Sequence, residues 1–114
     1  MDKSRVRLRA LAAGFFGSLI LMAAGPAFAW DGMVQGTIQA VDVTQGSNYG
    51  FRVYIHGTTS VCSSGANWAY VNETDSNYKT FVSALMMAKA QGSTVTIYTT
   101  VENGYCHIGY ITVS

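Results

Sequence analysis

From residue 30 onward, apolar and polar residues recur with two distinct periods. "YGFRVYIHG" (49–57) places Tyr49, Phe51, Val53 and Ile55 on one side and Arg52, Tyr54 and His56 on the other, the two-residue alternation of a half-buried strand. "MVQGTIQAVDV" (33–43) alternates more loosely, with Gly36, Ile38 and Ala40 on one face, and the extra Val41 and Val43 predict a bend or bulge. "TQGSN" between these segments has the composition of a hairpin turn. "ANWAYVN" (66–72) is a short third strand on which Trp68 and Tyr70 share a face. The period then changes. In "ETDSNYKTFVSALMMAKAQG" the apolar positions Tyr78, Phe81, Val82, Leu85 and Met86 follow the i, i+3, i+4, i+7, i+8 spacing of an amphipathic helix. Thr74, Asp75 or Ser76 is expected to cap its start, and Gly92 to end it. "STVTIYTTV" and "YCHIGYITVS" return to strand composition around Glu102-Asn103-Gly104, where Asn-Gly is a type I′ hairpin signal.

The predicted order is therefore β-β-β-α-β-β. A five-stranded Greek-key barrel with its helix between strands three and four has the order of an OB-fold, which makes the expected class all-β with one helix. An open antiparallel sheet with the helix on one face is the alternative. Either arrangement buries the helix stripe. Met87 lies off that stripe beside the small residues Ala84 and Ala88, so these three are a candidate interface between subunits, a wider buried stripe being the other reading.

The residues before position 30 belong to a different kind of segment. Lys3, Arg5, Arg7 and Arg9 precede the apolar run "LAAGFFGSLILMAAG", and "PAFAW" ends in a small-x-small site. This is the pattern of a secretory signal peptide over residues 1–29, cleaved after Ala29, and the run is shorter than the ~20 residues a membrane span needs. Residues 30–114 are then a single small exported domain, secreted or periplasmic and without membrane insertion. Export also changes the charge. Residues 30–114 hold three basic residues against five acidic ones, a net of −2, which removes any basic-patch argument for nucleic acid.

The chemistry centres on "ENGYCHIGY", where Cys106 adjoins His107. With Cys62 and His56 the pair allows a zinc site, a Cys/His nucleophile, or a disulfide with two incidental histidines. Neighbours on a strand point to opposite faces, so Cys106 and His107 cannot readily share an ion, and neither C-x-x-C nor H-x-x-x-H occurs. In an oxidising compartment the two cysteines are each other's partners. A Cys62–Cys106 disulfide is expected, with no metal and no cofactor. The carboxylates Asp31, Asp42, Glu73, Asp75 and Glu102 show no local pairing with a second catalytic group, so a non-enzymatic protein is expected.

Residues 30–114 are rich in groups that suit a sugar: Trp30, Trp68, seven tyrosines and many hydroxyls and amides. Arg52, Tyr54 and His56 share the polar face of their strand and are candidates to hold an acidic or polyhydroxyl ligand, with Trp68 as a possible platform or, alternatively, a core residue. "WDGMVQGTI", "CSSGANWAYV" and "GSTVTIYTT" together resemble the receptor-binding B subunits of the subtilase-cytotoxin type. The resemblance implies an OB-fold pentamer with helices lining a central pore, shallow sugar sites on the outer barrel face, and a separate A subunit as partner. In that family a serine shortly after an Asp-Gly-Met-like stretch contacts sialic acid, and Gln35 stands at the corresponding position here. The expected function is a secreted binding module for glycans or a cell-surface receptor. The alternative is a periplasmic OB-fold protein acting through protein contacts, as an inhibitor or envelope stress factor.

Overall fold

A computed structural model describes residues 30–114; the signal-peptide reading of residues 1–29 lies outside them. The elements are β1 (Gly32–Val43), β2 (Phe51–Ile55), β3 (Ala69–Val71), α1 (Tyr78–Gln91), β4 (Thr94–Glu102) and β5 (Tyr105–Val113). Their number, type and order are those the sequence predicts. The strands hydrogen-bond in the order β1-β2-β3-β5-β4 and β4 returns to β1, so the sheet closes into a ring and the open-sheet alternative does not form.

Closure depends on how β1 is used. Its first half, Gly32 to Thr37, pairs with β4, and from Ile38 to Val43 it pairs with β2, the register shifting between Ile38 and Ala40. That bulge is the irregularity expected at this point, and bending there lets one strand serve both sides of the ring. At the opposite side the ring closes through the sheet's one parallel pairing, β3 with β5, which spans two residue pairs, Ala69 with Cys106 and Tyr70 with His107. The disulfide between Cys62 and Cys106, with Cα atoms 5.7 Å apart, sits at this short seam. Alternate residues of β2, β4 and β5 fill the interior: Phe51, Val53, Ile55, Val95, Ile97, Cys106 and Ile108, joined by Ile38, Val71 and Leu85. Asn103 and Gly104 both have positive φ, 53° and 84°, as the predicted type I′ turn requires.

The helix ends as expected and begins differently. Gly92 takes the left-handed conformation and the Ser93 N–H reaches the Ala88 carbonyl at 3.0 Å, which satisfies the last turn. At the start, none of Thr74, Asp75 and Ser76 is the cap. Asn77 occupies that position in left-handed geometry, and no side chain caps the helix. The Asp75 carboxylate is engaged elsewhere: it accepts the Asn72 N–H at 2.8 Å and a ring nitrogen of His107. The buried stripe also sits differently. Leu85 and Ala88 are fully buried, with Tyr78, Phe81 and Val82 packed beside them, whereas Met86 is 46% exposed. Met86 lies roughly 140° round the helix from Phe81, too far to share its face. Ala88 lies at the Phe81 edge of that face and is fully buried, so of the candidate interface trio Met87, 52% exposed, and the half-buried Ala84 remain accessible.

Candidate functional site: an aromatic platform outside the seam

The buried disulfide fixes which side chains face out. Cys106 points inward, so its strand neighbours Tyr105 and His107 point to the outer face of β5. Across the seam Ala69 points inward, and Trp68 and Tyr70 face outward with them. Tyr49, in left-handed geometry at the approach to β2, completes the group. Trp68 and Tyr105 stack, with centroids 4.9 Å apart and planes at 22°. Tyr49 meets both edge-on, at 6.1 Å from Trp68 and 5.0 Å from Tyr105. Beneath them Tyr70 is 2% exposed and packs edge-on against Tyr49 at 4.6 Å and face-on against His107 at 4.9 Å. Trp68 is half-buried and Tyr105 is 39% exposed, so the group is packed from beneath and partly accessible to solvent.

A cation lies on this surface. The Arg52 guanidinium sits 5.0 Å from the centre of the Trp68 ring, a cation–π distance. Among the described residues its Nε is buried without a hydrogen-bond partner.

On the other flank His107 is held between two carboxylates. Its Nε2 is 2.6 Å from Asp75 Oδ2, and its Nδ1 is 2.8 Å from Glu102 Oε2. Burial opposes a charge on the ring, but the hydrogen bonds to Asp75 and Glu102 outweigh it and raise the pKa above the ordinary 6.5. With a carboxylate on each nitrogen, this imidazole has no free lone pair with which to act as a base. Tyr70 is pushed up to about 12, by burial first and by the charge of Glu102 next, and stays neutral.

A raised folded-state pKa ties stability to protonation. The contribution of the Asp75–His107–Glu102 clamp is fully present below about pH 6.5, the value in the unfolded chain, and is lost as pH rises through the higher folded value. Denaturant titrations at pH 6 and pH 9 are expected to show the lower stability at pH 9, and His107→Gln should remove most of that difference.

Of the residues picked out in the sequence, Arg52 and Trp68 come together here. The other three lie apart. The Tyr54 hydroxyl donates to Asp42 Oδ2 at 2.9 Å on the β1–β2 face, and its pKa is raised by burial and by that bond. His56 Nδ1 is 2.9 Å from Thr37 Oγ1 beyond the end of β2, and Gln35 donates to Thr96 Oγ1 at 3.0 Å on the β1–β4 face. Tyr49, Tyr70, Tyr105, His107, Asp75 and Glu102 were not anticipated as a group. The available signal was the inward direction of Cys106, which turns the residue on either side of it outward.

A second aromatic group lies on the β4–β5 face. Trp30 stacks on Tyr110 at 6.3 Å and approaches Tyr98 at 5.9 Å. Its ring lies directly over Gly109, where any Cβ would collide with it. Beside it a groove of about 420 Å³ runs between α1 and β5, lined by Asn77, Thr80, Phe81, Ala84 and Ile111 among others.

No family model matches the chain, and neither a curated protein nor a solved structure does.

Proposed function

We propose that this chain is an exported, non-enzymatic OB-fold binding module that recognises glycans or a glycan-bearing cell-surface receptor through the Tyr49–Trp68–Tyr105 platform. The observation that carries the reading is a packed, partly exposed aromatic surface with a guanidinium lying over one ring. Aromatic faces pack on the apolar face of a pyranose, and a fork of N–H donors with no ion-pair partner among the described residues donates to its hydroxyl or carboxylate oxygens. A closed ring in the order β1-β2-β3-β5-β4, with the helix between β3 and β4, supports the Greek-key OB-fold reading. The resemblance to subtilase-cytotoxin-type B subunits extends the proposal to a ring of subunits, possible through Ala84 and Met87, and to a separate A subunit. The exposed Met86 and Met87 also favour a second reading, a periplasmic protein that works through contacts with another protein.

Binding titrations with the oxidised protein test the site. Trp68→Ala is expected to weaken glycan binding at least tenfold, about 1.4 kcal/mol, while Gln35→Ala on the β1–β4 face changes it less than about twofold. The reverse ranking moves the site to the face where the toxin resemblance would put it.

A further inference from the structure

The platform and the His107 clamp share one short hairpin. Glu102 ends β4, Tyr105 begins β5, and the two are directly paired, with Asn103 and Gly104 forming the turn between them. Glu102 holds His107, and Tyr105 stacks on Trp68. We propose that the clamp is a pH-dependent latch on the platform: the charged imidazole holds the hairpin so that Tyr105 lies on Trp68, and loss of its proton releases the Glu102 side and loosens that stack. The inference rests on the binding reading above and names the regulation of the same site.

The chemistry decides which contact opens. Imidazolium donates from both nitrogens and satisfies both carboxylates. Neutral imidazole has one N–H and one lone pair, so one carboxylate oxygen then faces a lone pair at hydrogen-bond distance. Asp75 is anchored, because it also accepts the Asn72 N–H and its side chain is 20% exposed. Glu102 is 49% exposed; its other bond is to the Thr100 hydroxyl at 3.1 Å, and water can replace His107 there. The Glu102 contact is therefore the one that lets go.

The groups around the ring agree with a single titrating site. Tyr70 of β3 stacks on it and stays neutral, Tyr49 lies beyond Tyr70, and Arg52 of β2 is in register with Tyr70 and faces Trp68. His107, its pKa raised by the hydrogen bonds to Asp75 and Glu102, is thus the proton carrier the latch uses.

The test needs no ligand. In a Trp30→Phe protein, which leaves Trp68 as the single tryptophan among residues 30–114, Trp68 fluorescence and the His107 ring proton shifts are followed together from pH 5.5 to 9.5. One step is expected in both signals, with a common midpoint above 6.5. Glu102→Gln should lower the His107 midpoint and remove the fluorescence step, because an amide can donate to or accept from the neutral ring. His107→Gln, with circular dichroism confirming the fold, should also be flat. Unchanged Trp68 fluorescence while His107 loses its proton overturns the latch and leaves the glycan reading intact. Conversely, a coupled step in a protein that binds no glycan keeps the latch and removes the function proposed for the platform.

Discussion

Removing the disulfide is expected to produce one of the largest losses of stability in this protein. Cys62 and Cys106 are 44 residues apart, and in the chain-entropy account closing a loop of that length contributes about 4 kcal/mol. A domain of this size has a total stability of about 4 to 13 kcal/mol, and each kcal/mol is worth roughly 4 to 8 °C of melting temperature. The bond's location adds to its weight, because the parallel seam it adjoins has only two residue pairs to keep the ring closed. The Cys62→Ala/Cys106→Ala protein should melt roughly 15 to 30 °C below the oxidised protein, or fail to fold at 37 °C. A fall of only a few degrees, measured by thermal unfolding followed by circular dichroism, would mean that the seam holds without the bond.

The second large effect is expected at Leu85. It is fully buried where α1 meets the core, and truncation to alanine there should cost about 2 to 5 kcal/mol. The contrast with Met86 makes the experiment informative. The apolar spacing alone puts both residues on one stripe, yet Met86 is half exposed, so Met86→Ala should change stability by no more than about 0.5 kcal/mol. Equal losses at the two positions in denaturant titrations would show that the helix packs with a different face inward.

Most of the fold was legible because local chemistry and the final packing agree. The Asn103-Gly104 turn, the alternation from Phe51 to Ile55, the β1 bulge, Gly92 at the helix end and the pairing of the cysteines each follow from residues within reach of one another in sequence or from export chemistry. The misreadings come from long-range partners. Asp75 has the composition and position of a helix cap, but His107 lies 32 residues later and lands 2.6 Å away, drawing the carboxylate to the sheet side. Ala88 stood between an interface reading and a wider buried stripe, because periodicity fixes the width of a stripe less well than its existence, and it is buried. The candidate site was half legible. Arg52 and Trp68 were recognised from their residue types, while Tyr49 depends on a left-handed backbone position and Tyr70, Tyr105 and His107 on strand pairing that joins residues 68–70 to 105–107.

Carbohydrate binding by the aromatic surface outside the seam is best examined on a glycan array probed with the oxidised, folded protein. Retention on a defined subset of glycans is expected, lost when the same array is probed with folded Trp68→Ala protein. No retained glycan, or the same pattern from the Trp68→Ala protein, would contradict it.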